Sequence, residues 1–172
     1  MLGPHVEVSV IKEYRLSLDN EAIYSHIKHL RTKGSTIRED GTTWFLTEKF
    51  NERYYLVLMC EPPDVIQPLL DFVFNLFDNK VKLKEVWSLI YDQYMSLAPH
   101  THDGSDYSFL YFVNTPEGAS PLIIDDYVVE PVAGKLVTFK SKSSHYVPTN
   151  NCEGRCVIAG ELWNGTTDTT LD

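Results

Sequence analysis

From Val6 the segment VEVSVIKEYRL alternates apolar and polar positions, the period of two expected of a half-buried strand. The period then changes. In LDNEAIYSHIKHLRTKG, Ile23, Ile27 and Leu30 form a 3.6-residue stripe; Asp19 or Asn20 offers the N-terminal cap and Gly34 the stop. TTWFLTEKF and RYYLVLMC return to strand-like patterning before EPP breaks the chain. VIQPLLDFVFNLFD is apolar nearly all round, which fits a buried helix either interrupted near Pro68 or beginning there. KVKLKEVWSLIYDQY alternates through Val81 and Leu83 and reads as a strand. After it come YSFLYFVN, SPLIIDDYVVEPV, GKLVTFK, HYVP and RCVIAGELW, short strand-like runs separated by turn residues. No repeat, linker or low-complexity tract interrupts them, and only the tail NGTTDTTLD is expected to fray.

A helical and mixed first half followed by closely spaced short strands predicts a mainly β (α+β) architecture. The pattern suits a β-sandwich or jelly roll carrying helices on one side. At 172 residues the chain fits one domain, long enough to bury a core without staples.

Composition narrows the function more than the fold. An apolar fraction of 43% with 23% charged residues is that of an ordinary globular protein, and ten Tyr, eight Phe and three Trp suit strands and a lined pocket. The net charge of −9 opposes general binding of nucleic acid or an anionic membrane, and no run of Lys and Arg reverses that locally. It leaves room for a small anionic ligand held by one buried Arg. Cys60, Cys152 and Cys156 are too few and too irregular for a disulfide framework. The start MLGPHVEVSV has neither a basic n-region nor an apolar h-region, and no window approaches about 18 apolar residues. A soluble, cytoplasmic, reduced protein is expected.

The chemistry concentrates in PHTHDGSDYSFLYFVN. On a strand, residues i and i+2 share a face with Cα atoms roughly 6.5 Å apart, so His100 and His102 can aim two imidazoles at one point. Two histidines and one further N or O ligand on one side of a metal leave positions open for substrate, as at non-haem Fe(II) sites. His145, in FKSKSSHYVP, is the candidate third ligand. His26 and His29, at i and i+3 on the predicted helix, lack a partner motif and read as solvated. Ten residues after His145, Arg155 heads a strongly apolar strand, where an unpaired charge is expensive. It reads as an exposed strand-end residue, as one paired with a local acid such as Glu153, or as a fork gripping a carboxylate.

The ordered set of HxH, a distant His and then Arg on short strands resembles the 2-oxoglutarate- and Fe(II)-dependent oxygenases. In particular, it resembles a prolyl-hydroxylase-like group of small bacterial and phage proteins. VWSLIYDQYMSLAPHTHDGSDYSFLYFVN is similar to that group's tryptophan-led strand, histidine pair and serine-initiated strand. VVEPVAGKLVTF is similar to its approach strand, and SSHYVPTNNCEGRCVIAGELW to its distal-histidine, Asn and Arg segment. The likeness covers residues 81–164; residues 1–80 carry no motif of the group and are expected to support that core within a single domain spanning residues 1–172.

The resemblance implies a double-stranded β-helix (cupin-like jelly roll) with Fe(II) held by His100, His102 and His145. It also implies 2-oxoglutarate bound by Arg155, with a second contact from Tyr91, and O2 as the oxidant. Its activity would be hydroxylation of a C–H bond in a prolyl or other protein residue, or in a small metabolite. Three departures stand out. The family's usual first motif is HxD or HxE, so Asp103 or Asp106 is an alternative carboxylate ligand. If instead His102 takes the first-ligand role, Gly104 leaves an open coordination position, as in related halogenases. Val157 replaces a common Ser, and Phe112 stands where prolyl hydroxylases often carry Tyr. Two other classes share the residues: a three-histidine cupin dioxygenase that does not use 2-oxoglutarate, and a catalytically silent jelly-roll binding module. Either small molecules or peptides suit the site as partners, and the oligomeric state, a homodimer included, is left open. NTPEGASPLIIDDY is expected to form a hairpin near the mouth, with Asp125 and Asp126 either favouring a basic substrate or solvating a turn.

Overall fold

The computed structural model describes residues 10–33, 36–37, 43–50, 54–59 and 62–164. β1 (Lys12–Arg15) precedes α1 (Asn20–Lys33), β2 (Thr36–Ile37), β3 (Thr43–Phe50) and β4 (Tyr54–Met59). A 3₁₀ turn, Asp64–Ile66, leads into α2 (Gln67–Leu76) and the long β5 (Val81–Tyr91). β6 (Leu97–His100), β7 (Tyr107–Asn114), β8 (Leu122–Ile124) and β9 (Tyr127–Val129) follow. β10 (Lys135–Lys140), β11 (His145–Val147) and β12 (Arg155–Asn164) complete the order.

The strands form two antiparallel sheets, one ordered β1-β10-β7-β12-β5-β4-β3-β2 and the other β6-β11-β8-β9. One face of the larger sheet carries the helices: Ile23 and Ile27 of α1 and Leu69 and Val73 of α2 pack on Val86, Ile90, Tyr111 and Ile158. Its other face meets the smaller sheet, where Leu89, Phe112, Val137 and Val157 pack against Leu122, Ile124 and Val147. RCVIAGELW is apolar without alternation because β12 is buried on both faces, with Ile158 turned to the helices and Val157 and Ala159 to the other sheet. This is the expected jelly roll with helices on one side.

Local chemistry accounts for the boundaries. Asp19 rather than Asn20 caps α1, accepting the Ala22 N–H at 3.0 Å, while the Asn20 side chain accepts the Tyr111 hydroxyl at 2.6 Å and ties the helix to β7. Pro68 lies in the first turn of α2, where its missing N–H leaves no bond unmade, so the helix begins there rather than breaking. The strand end expected at His100 was not foreseen to begin at Leu97, because LAPH carries a proline and no alternation. β6 sits at the edge of the smaller sheet, a position that tolerates Pro99. At Gly160 a Cβ would stand 2.4 Å from the Phe109 ring, so the absent side chain lets that ring lie against β12. The expected stop at Gly34, the strand residues before Val10, Cys60 and the tail after Asn164 lie outside the described residues. Among those described, no helix is long and apolar enough to cross a membrane.

Candidate metal centre

His145 opens β11 directly opposite His100, the last residue of β6, so two of the imidazoles are a cross-strand pair with ring centroids 4.2 Å apart. His102 lies beyond the end of β6 and not on it. Its backbone N–H donates to the Ser141 carbonyl at 2.9 Å, and the returning loop sets its ring 5.0 Å from each of the others. The expectation that a single strand presents His100 and His102 by its period of two is therefore corrected. An edge strand supplies one ring and a pinned loop the other. One donor atom from each of the three histidines lies within 4.8 Å of the other two, and His102 Nε2 is 3.2 Å from His145 Nε2.

The other ring nitrogens decide which atoms face inward. His100 Nδ1 lies 2.8 Å from the Ala98 carbonyl oxygen and His145 Nδ1 3.1 Å from that of Ser143. A carbonyl can only accept, so both Nδ1 atoms carry the proton. His102 Nδ1 donates to Glu161 Oε1 at 2.6 Å. With all three Nδ1 atoms committed to oxygens, the Nε2 atoms are the ones left to bind a metal, and acceptors of this kind orient metal-binding histidines. Burial lowers the pKa of His145 to about 4, against the opposing pull of the Ser143 carbonyl. It also lowers His102, with Glu161 acting in the other direction. Both rings are neutral at neutral pH, the form that binds a metal. The donor set fits a divalent transition metal.

Asp103 and Asp106 are exposed and stand outside the converging group; Asp106 Oδ2 instead accepts the Asn164 N–H at 2.7 Å. Gly104 occupies the turn after His102 with φ +83°. The acid that does reach the site is Glu161, a residue the sequence analysis did not single out. It is 2% exposed. Parity held a signal: Arg155, Val157, Ala159 and Glu161 are spaced by two, so a strand buried on both faces sends them all to one side. A β-bulge falls between Glu161 and Leu162, where the pairing with β5 shifts register. Lys84 Nζ lies 3.2 Å from Glu161 Oε2, an ion pair without hydrogen-bond geometry. Glu85 stands directly across from Glu161, and its carboxyl is pushed up by its own burial first and by Glu161 second.

At the other end of β12, Arg155 has no solvent exposure. Its Nε donates to the Ser120 carbonyl at 2.7 Å, while Nη1 and Nη2 meet no hydrogen-bond partner among the described residues. Glu153 is exposed, so the reading of a strand-end ion pair fails. The guanidinium carbon lies 4.7 Å from the Tyr91 ring and 5.4 Å from that of Phe112, so the Phe112 departure supplies an aromatic wall. Val157, the second departure, is simply core. Burial pulls the Arg155 pKa down. Asn150, quoted in the motif without a role, proves to be a buried staple. Its amide donates to the carbonyls of Tyr91, Asp92 and Cys152 and accepts the Ser120 N–H, so it fixes the segment that holds Arg155.

Between the three histidines and Tyr91 runs a cavity of about 440 Å³, walled mainly by apolar side chains such as Trp87, Leu89, Leu122, Phe139 and Val147. Tyr91 lines it and stacks on Arg155, so the cavity and the guanidinium share a wall. Asp125 and Asp126 do form the β8–β9 turn, exposed and away from the cavity lining.

Neither a family model nor a curated protein matches the sequence. Solved structures do match. A prolyl-4-hydroxylase of Pseudomonas putida superposes with a TM-score of 0.65 at 15% identity, over 92% of this chain and 95% of its own. The chain has the fold of the 2-oxoglutarate- and Fe(II)-dependent oxygenases. A prolyl hydroxylase of Trichoplax adhaerens, solved with a hypoxia inducible factor peptide fragment, gives 0.61 at 12% identity, over 91% of this chain and 83% of its own. The non-heme alpha ketoglutarate dependent epimerase SnoN from nogalamycin biosynthesis gives 0.66 at 11%, over 91% and 79%.

Proposed function

We propose that this protein is an Fe(II)- and 2-oxoglutarate-dependent dioxygenase, coupling decarboxylation of 2-oxoglutarate to succinate with hydroxylation of a C–H bond. The observation that carries this reading is Arg155. Converging imidazoles alone suit many metalloenzymes. A fully buried guanidinium with both terminal nitrogens unpartnered, beside the same cavity, calls for a carboxylate ligand at the far end from the metal. Fe(II) held by the Nε2 atoms of His100, His102 and His145 supplies the redox chemistry and the activation of O2.

The chain's own residues bind, orient and exclude water. Arg155 offers two N–H groups to the distal carboxylate of 2-oxoglutarate, and Asn150 holds Ser120 so that the Arg155 side chain keeps its direction. Tyr91 lies against the guanidinium and lines the cavity, so it is placed to make the second contact to the bound 2-oxoglutarate. The apolar lining excludes water from the reacting centre. Residues 81–164 carry every proposed site residue, with α1 and α2 supporting from outside. The likeness to a prolyl hydroxylase seen with a peptide and to an epimerase from nogalamycin biosynthesis supports a peptide or small-molecule substrate. A reducing, cytoplasmic setting fits the free thiols of Cys152 and Cys156.

The test is an anaerobic visible spectrum of Fe(II)-loaded protein titrated with 2-oxoglutarate. A new weak charge-transfer band saturating near one equivalent is expected. Bound iron without a band would point to a three-histidine dioxygenase that ignores 2-oxoglutarate. No bound iron would leave a jelly-roll binding module.

A further inference from the structure

Three imidazoles, neutral as ligands, would give the metal no negative charge. We infer that Glu161 supplies that charge through His102, the His102–Glu161 pair acting together as the anionic ligand. The inference rests on the metal-centre reading above.

The geometry is specific. Glu161 reaches Nδ1 of His102, and of no other ligand, at 2.6 Å, whereas His100 and His145 use neutral carbonyls for the same purpose. A carboxylate accepting from the ring increases its donor strength and shares its charge with the metal, as carboxylate–histidine–metal triads do. The placement is unfavourable for the fold by itself. Glu161 is almost wholly buried and faces a second acid, Glu85, across the β5–β12 pair. Like charges directly opposite destabilise a sheet, and here burial first and Glu161 second push the Glu85 carboxyl towards its protonated form, which hydrogen-bonds Glu161. Lys84 offsets part of this, but a neutral residue would serve the sheet better. A buried acid kept against local stability, and bonded to one ligand of three, fits a role at the metal.

Glu161→Gln separates charge from orientation, because the amide oxygen still accepts from His102 Nδ1. Glu161→Ala removes both. Affinities for Co(II) and Fe(II) are measured by chelator competition, with the metal-free melting temperature of each variant as control. The expected result is a 10–100-fold weaker metal affinity for Glu161→Gln, with a metal-free melting temperature equal to or above that of the parent. Placing the carboxylate directly at the metal in the double variant His102→Asp/Glu161→Gln should restore affinity to within a few-fold. In the Fe(II)–2-oxoglutarate complex of Glu161→Gln, the charge-transfer band should move to shorter wavelength, because a less electron-rich iron gives up its electron less readily.

Parent-like affinity in Glu161→Gln with loss only in Glu161→Ala would reduce Glu161 to an orienting acceptor and overturn the inference. So would a double variant no better than Glu161→Gln. Parent protein that takes up no metal would overturn the metal centre itself, and this inference with it.

Discussion

Arg155 concentrates the tension between stability and chemistry in one side chain. A cation with no solvent exposure, one bond to a carbonyl and two empty donor groups lowers the stability of the apoprotein. Replacing such a charge by an apolar residue of similar volume is often neutral or stabilising. Arg155→Met should therefore leave the unfolding midpoint of the metal-free protein unchanged or raise it. The same change should cost about 2–5 kcal/mol of 2-oxoglutarate binding, the usual loss when one partner of a buried charge pair is truncated. Iron binding should hold, since the histidines are pinned by Ala98, Glu161 and Ser143 and not by Arg155. Unfolding curves and a 2-oxoglutarate titration check both halves. A variant that is less stable yet binds 2-oxoglutarate normally would remove Arg155 from the scheme.

At the level of elements, the loop after β11 matters more than its lack of regular structure suggests. Asn150 joins the end of β5, the approach to β8 and the start of β12 through four backbone groups. Asn150→Ala leaves those groups short of a partner, at a cost of about 1–3 kcal/mol in unfolding free energy. Because Ser120 then loses its anchor, 2-oxoglutarate affinity should fall while metal affinity stays, the histidines being held by other contacts. Equal losses of metal and 2-oxoglutarate binding would mean that the loop supports both sheets. This element also marks where sequence reading stopped. The β runs, both helices and the four residues His100, His102, His145 and Arg155 announce themselves by periodicity, by their type and by an unusual charge at a strand head. Asn150 looks like any loop asparagine, and its role exists only once three distant backbone segments meet. Glu161 was one parity count away, but its meaning required knowing that His102 lies past the end of β6. The extent of β6 was hidden because an edge strand of four residues with a proline has no alternation to show.

Taken as a whole, the molecule separates its two faces of the large sheet by task, and β12 carries both. Its inward face holds Arg155 and Glu161; its outward face packs Cys156 and Ile158 under the helices. That outward side should set the alkaline limit of stability. Burial pushes the Cys156 thiol up to about 12, outweighing the opposing influence of Ser88 and of neighbouring Arg155. In the unfolded chain the thiol ionises near its ordinary value, about 8.5. Between those two values the unfolded state binds fewer protons than the native state, so unfolding free energy falls as pH rises, by up to about 1.4 kcal/mol per pH unit from this group. Below the unfolded value the contribution is fully present; above about 12 it is gone. Tyr24 and Tyr111, both raised chiefly by burial, act in the same direction at higher pH. Cys156→Ala should therefore show a shallower decline than the parent between about pH 9 and 10.5, with the tyrosine part remaining. Urea unfolding of metal-free protein at stepped pH reads this directly. Parallel declines in parent and variant would mean that the thiol is not sealed from solvent, and that the helix-side core is looser than its packing implies.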